Sequence, residues 1–199
     1  MQNGPNPWEF AATIAIVLLS AVSSLLGLLR DGHYADPTET LLRIYAQDVV
    51  LLVIGVPVLA VGLWFATRGS IRGRIVWLGS LAFMAYMWTH YDLVITYNEF
   101  FLGYIALFSL SVFTLMSGTA TTDPTRRHET VHGERAILFS GGFLTVAAVG
   151  LTAMGLFDIV PALLAGELPS AIAQLGSEAA HTYVIDLGVL VFCLVISAV

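Results

Sequence analysis

Apolar and polar positions along this chain fall into long blocks. Six apolar runs stand out, at 10–29, 48–67, 75–95, 99–117, 136–157 and 181–199. Each is close to the ~20 residues a helix needs to cross a bilayer. The runs are too long for strands and do not alternate, and helices satisfy their own backbone hydrogen bonds, as lipid requires. The pattern therefore predicts an all-α, polytopic membrane helix bundle of about six transmembrane helices, forming a single domain over 1–199. The stretch "THYDLVITYNEF" at 89–100 is a tight polar hairpin between the third and fourth runs. The connections 30–47 and 158–180 are longer; the second reads as a covering loop or as a short interfacial helix starting near Ser170. Pro57, after Gly55, should distort the second span near Ile54. Span five, "FSGGFLTVAAVGLTAMG", is rich in small residues and reads as centrally packed. The glycines of spans two and five are weak grounds for an internal repeat. The last run reaches Val199 without a polar flank, as expected for the front part of a longer chain.

Composition agrees with this reading. Hydrophobic residues make up 57% of the chain and charged residues only 11%, where a soluble domain carries about a quarter. Mean hydropathy is +0.84. The N-terminal "MQNGPNPWEF" has no basic side chain, so the first run is a retained span and not a cleaved signal. A lone cysteine, Cys193, cannot form an internal disulfide and reads as a small apolar residue. Nothing resembles a basic nucleic-acid surface, so no nucleic-acid partner is expected.

The net charge of −6 matters less than where the charges lie. Lysine is absent, and six arginines (68, 72, 74, 126, 127 and 135) fall in two connections on one side, against Arg30 and Arg43 on the other. The positive-inside rule puts the six, and the N-terminus, in the cytoplasm of a plasma-membrane protein. Most acids map to the outer side or its span ends, a surface that attracts cations.

Polar groups inside a span are costly, and each needs a reason. Asp48 opens span two; His90 and Asp92 close span three; Asn98 and Glu99 open span four, with Tyr104 deeper; His181 and Asp186 start span six. On the inferred topology these eight ligand-binding candidates share the outer leaflet. Asn98 also serves as a helix cap with Glu99 favourable in the first turn, and tyrosines gather at interfaces without further function. A carboxylate at a helix centre costs ~2.5–3.5 kcal/mol on insertion scales, so Asp48 and Asp186 should turn inward. Arg43 is the nearest cation along the chain to Asp48.

"HETVH" at 128–132 formally reads H-E-x-x-H, the zincin string in which two histidines bind zinc and the glutamate is the base. It sits in a hydrophilic, arginine-flanked loop without an apolar stripe, which argues for a solvated loop. His90 and His181 are the pair a haem would use. No nucleotide loop, serine elbow or Schiff-base lysine is present. No catalytic residue is assigned, and the metal and cofactor stay unknown.

The stretch "YAQDVVLLVIGVPVLAVGLWFATRGSIRGRIVWLGSLAFMAYMWTHY", followed by "NEFFLGYIALFSLSVFTL", resembles a family of uncharacterised prokaryotic multi-pass integral membrane proteins. The marks are Gln47–Asp48, "RGSIRGR" with Trp77, and "FFLGYIALFSLS", over spans two to four. The resemblance implies a membrane protein continuing beyond a sixth span, and no reaction.

The expected function is binding of an ion or small solute in an outward-facing polar pocket, as in a permease or sensor. A membrane-embedded enzyme or metalloprotein, and a structural accessory subunit, are the alternatives. Expected partners are the lipid bilayer, a small solute or cation, and a membrane-protein partner or a second copy.

Overall fold

A computed structural model describes residues 4–96, 98–122, 134–175 and 177–191. Among these the chain is all-helical, without strands. It divides into two compact units, Met1–Thr130 and Val131–Val199. The 128–132 string, Tyr97 and Cys193 lie outside the described residues.

The first unit begins with α1, Pro7–Leu29, closed by a capping box. Asn6 Oδ1 accepts from the Glu9 backbone N–H at 2.9 Å, and Glu9 Oε2 accepts from the Asn6 N–H at 2.8 Å. After a turn at Gly32, which takes a positive φ of 72°, α2 runs over Thr38–Val50. It continues through a π-helical turn, Leu51–Gly55, into α3, Val56–Thr67. Pro57 lacks the N–H a regular helix would use here, and the distortion expected near Ile54 is this wider turn. Gly69, at φ 75°, ends α3. There the Ser70 N–H reaches Phe65 O at 3.1 Å and the Gly69 N–H reaches Ala66 O at 3.0 Å, the paired bonds of a glycine helix stop. α4 covers Ile71–Val94 and α5 Phe101–Ala120.

Packing explains the spacing of residues on these helices. On α4 the side chains of Trp77, Leu81, Met84, Trp88 and Tyr91 are all fully buried, at steps of three and four that form one face. On α5 the buried face is Tyr104, Leu107, Ser111, Thr114 and Gly118. α3 and α4 approach closely at glycines: a Cβ on Gly62 would lie 2.8 Å from the Trp77 backbone nitrogen. α4 packs on α3 and α5, and α1 on α5, α3 and α2.

α1 is inverted relative to a helix of a water-soluble protein. Its outward face carries Phe10, Ile14, Leu18, Val22 and Leu25, all exposed, while its buried face carries Glu9, Thr13, Ser20, Ser23 and Ser24. Such a helix matches a lipid surroundings and a polar interior. Among the described residues, four helices are long and apolar enough to cross a membrane: Pro7–Leu29, Thr40–Thr67, Phe101–Ala120 and Gly142–Ala165. They correspond to the expected first, second, fourth and fifth runs. The third run is the helix α4, less apolar because Arg72, Arg74, His90 and Asp92 lie on it. The sixth run lies partly outside the described residues.

The second unit holds α6, Glu134–Ala165, with Pro161 inside it, then α7, Ser170–Leu175, and α8, Ser177–Ile185, which runs into a second π-helical turn at Asp186–Leu190. The segment beginning at Ser170 is thus a short helix. Asp158 holds its start, accepting from the Ser170 N–H at 3.0 Å, the Ser170 hydroxyl at 2.6 Å and the Ala171 N–H at 3.2 Å. The Tyr183 hydroxyl also donates to Asp158.

Candidate functional site

Asp48 is the centre of the first unit's polar interior. The helix carrying it starts at Thr38, ten residues earlier, so Asp48 sits about 15 Å along the helix rather than at its opening. It is fully buried. Tyr34 donates its hydroxyl to Asp48 Oδ2 at 2.8 Å, and Tyr91 donates to Oδ1 at 2.8 Å. Hydrogen bonds to a charged group contribute about 1.5–3 kcal/mol each. Two of them offset the ~2.5–3.5 kcal/mol that a carboxylate costs within a span.

Arg43, the nearest cation along the chain and so an alternative neutraliser of Asp48, does not take that place; the two phenols satisfy the carboxylate by hydrogen bonding. Arg43 is exposed, and among the described residues no cation touches the Asp48 carboxylate. Ser24 faces the Asp48 carboxylate from α1, close enough to interact with it but short of regular hydrogen-bond geometry. Gly27, one turn on, leaves room for the pair: a Cβ there would overlap both the Asp48 carboxylate and the Tyr34 hydroxyl.

Three aromatic rings wall the site. Trp88 and Tyr104 stack with centroids 5.8 Å apart, Tyr91 meets Tyr104 edge-on at 5.4 Å, and Trp88 lies 4.8 Å from Tyr91. The Tyr104 hydroxyl contacts Asn98 Nδ2 at 3.2 Å and His33 Nε2 at 3.3 Å. His33 and Tyr34 belong to the loop before α2. Burial, reinforced by the Arg30 charge and opposed by Glu99, holds the His33 imidazole below its ordinary pKa. Burial, with Tyr91 and Asp48 adding to it, holds the Tyr34 phenol far above its ordinary value, so Tyr34 remains a donor.

The eight sequence candidates therefore separate. Asp48, Tyr104 and Asn98 converge on one cluster. His90 and Asp92 flank Tyr91 on α4: His90 Nδ1 lies 3.4 Å from Tyr86 O on its own helix, and Asp92 Oδ1 is buried without a hydrogen bond. Glu99 is exposed and forms a two-bond ion pair with Arg30, at 3.0 and 3.3 Å. That pair, hydrogen bond first and charge second, holds the Glu99 carboxyl below its usual range. Asn98 turns its Oδ1 to the Phe100 N–H at 2.9 Å, so it caps the turn preceding α5. His181 and Asp186 belong to the second unit, where His181 is exposed and Asp186 borders a cavity of about 410 Å³ with Asp158 and Tyr183.

Two groups of functional interest escaped the sequence reading. Tyr34 sits in a loop with no periodicity, and Tyr91 reads as an interfacial ring until its register with Trp77, Leu81, Met84 and Trp88 is noticed. At the other end of α1, Glu9 is fully buried and accepts from Ser117 Oγ at 2.6 Å and Thr121 Oγ1 at 3.2 Å. The Arg74 guanidinium, also buried, donates to Thr122 Oγ1 at 2.8 Å, Thr121 Oγ1 at 2.7 Å and Gly118 O at 3.1 Å. Thr121 thus links a buried acid to a buried base. Among the described residues no group of three histidines, cysteines or acids is arranged to hold a metal ion.

Fold and site together define a helical architecture of membrane-crossing type, with a buried carboxylate–tyrosine cluster in its first unit. No protein-family model matches the chain, and neither a curated protein nor a solved structure matches it.

Proposed function

We propose that this is a multi-pass plasma-membrane protein, with six spans and a cytoplasmic N-terminus, in which Asp48 binds a proton or small cation for transport or sensing. The observation that carries the reading is a fully buried carboxylate, well inside a candidate span, held by two neutral phenols and, among the described residues, by no cation. Glu9, by contrast, is linked to the buried Arg74 guanidinium through the Thr121 hydroxyl. The cluster also has a second proton arrangement available. With both phenols donating, Asp48 is satisfied as an anion. Once protonated, its O–H needs an acceptor, and the Ser24 hydroxyl facing it can turn a lone pair to it. A small cation would occupy the same position between the carboxylate and hydroxyl oxygens. Asp186 lies in the other unit, and the proposal does not depend on it.

The test is the unfolding midpoint of the detergent-solubilised chain, measured across pH and with sodium or potassium replaced by choline. A ligand bound only by the folded state stabilises it by about 2.7 kcal/mol at a hundredfold excess over Kd. The wild type is expected to show a proton- or cation-dependent component that Asp48→Asn lacks. Superimposable curves for the two proteins would refute the proposal. Orientation is tested separately in a Cys193→Ala background: an impermeant reagent should label Asp31→Cys in intact cells, and protection of that position would reverse the topology.

A further inference from the structure

The buried face of α1 carries polar groups along most of its length. Glu9, Thr13, Ser20, Ser23 and Ser24 are each fully buried, and Gly27 then meets Asp48. Glu9 to Gly27 covers about 27 Å of helix, close to the ~30 Å hydrocarbon thickness of a bilayer. The hydroxyls of Ser20, Ser23 and Ser24 are buried without a hydrogen bond of regular geometry, Ser23 facing the Tyr104 hydroxyl and Ser24 the Asp48 carboxylate. Serines inside helices commonly turn back to the carbonyl four residues earlier, as Ser111 does to Leu107 O at 2.7 Å. Three successive hydroxyls that do not are unusual, because a buried unsatisfied hydroxyl is costly.

α5 fills the one long interval on this face. The two helices run antiparallel: Ser117 contacts Glu9 at one end, and Tyr104 lies against Ser23 at the other. This register places Thr114 level with Thr13, and Ser111 level with the buried Ile16 between Thr13 and Ser20. Thr114 is fully buried, and its hydroxyl too is unpartnered. Groups three or four residues apart on a helix are about 5–6 Å apart, a distance one water spans with two hydrogen bonds.

We infer that this face of α1, completed by Thr114 and Ser111 of α5, is a proton pathway joining Glu9 at one end to Asp48 near the other. The inference rests on the reading of Asp48 as an exchangeable carboxylate. Each step breaks one O–H bond and forms another between a hydroxyl and a single bridging water. A proton taken up at one carboxylate is matched by one released at the other. The groups facing Asp48 are Tyr34 from the loop, Tyr91 from α4, Ser24 from α1 and Tyr104 from α5, with His33 behind Tyr104. Those facing Glu9 are Ser117 and Thr121, with Arg74 behind Thr121. Among the described residues, a transferred proton thus meets no fixed cation in direct contact at either carboxylate.

The experiment uses the full chain reconstituted in phosphatidylcholine vesicles with an internal pH-sensitive dye. A potassium gradient and valinomycin supply the driving potential and the compensating charge. Proton uptake should exceed that of protein-free vesicles by about tenfold or more. It should fall to the protein-free rate in Asp48→Asn and in a Ser20→Ala, Ser23→Ala, Thr114→Val triple variant that deletes hydroxyls without adding bulk. Thr114→Val alone, nearly isosteric, guards against a triple variant that does not fold, and should lower the rate several-fold. Uptake at the protein-free rate in the wild type, or at the wild-type rate in a folded hydroxyl-deleted variant, would overturn the pathway. If Asp48-dependent stabilisation persists without uptake, the pathway alone fails. Loss of that stabilisation as well removes the reading beneath it.

Discussion

Gly27→Ala sets local helix propensity against the geometry of the site. In the interior of α1, replacing glycine by alanine should on backbone grounds stabilise the helix by about 0.8–1 kcal/mol. The structure predicts the opposite sign, because the new Cβ would overlap the Asp48 carboxylate and the Tyr34 hydroxyl and lie 2.9 Å from Tyr34 Cε2. Loss of the Tyr34–Asp48 bond costs about 1.5–3 kcal/mol, and overpacking a tight interior adds about 1–3 kcal/mol. After subtracting the propensity gain, the net effect is a destabilisation of about 2–5 kcal/mol. Gly79→Ala on α4 is the control, since a Cβ there meets nothing within 4 Å; it should be neutral or stabilising by up to about 1 kcal/mol. Equilibrium unfolding in mixed micelles measures both. A Gly27→Ala protein as stable as the wild type would refute the claim that Gly27 exists to admit the Asp48–Tyr34 pair.

Gly62→Ala should destabilise by at least about 1–3 kcal/mol, because the backbone of Trp77 at 2.8–2.9 Å cannot move aside; unfolding equilibria check it. Glu9→Gln and Arg74→Gln should each destabilise, with a coupling of about 0.5–3 kcal/mol in a double-mutant cycle, because both groups share Thr121. For His33, burial and Arg30 lower the folded-state pKa from 6.5. The unfolded chain therefore binds the proton first, and stability is complete above pH 6.5 and declines as pH falls below it. His33→Gln should flatten that decline in the unfolding midpoint. Glu99→Gln should leave stability unchanged, since its pair with Arg30 is solvent-exposed, with side chains 80% and 53% accessible.

The sequence revealed the helices because lipid-facing apolar runs are long and uninterrupted, and the exposed residues of α1 are such a run. It was less informative about depth. Asp48 reads as a span opening because the polar "PTETLLRIYAQ" before it looks like a loop, yet that segment is the first turns of the same helix. Proximity in the chain offered Arg43 as an alternative neutraliser of Asp48, whereas Tyr34 and Tyr91, 14 and 43 residues away, hold its carboxylate. Such contacts depend on how α1, α2 and α4 pack, which no local pattern encodes. Glu99 shares a leaflet with Asp48 by hydropathy, but it lies in the turn before α5, exposed and paired with Arg30. Arg74 was counted as a loop charge; one turn into α4 it folds inward over Thr121 and Thr122.

The central claim, that Asp48 exchanges a proton or cation within the bundle, is met most directly by infrared difference spectroscopy of the reconstituted chain. Spectra would be recorded between about pH 4 and pH 9, spanning the titration of carboxyl and histidine groups, in sodium, potassium and choline. The account predicts a carboxyl or carboxylate band that responds to protons or to the cation and is absent from Asp48→Asn. Spectra of wild type and Asp48→Asn showing the same responses throughout would contradict it.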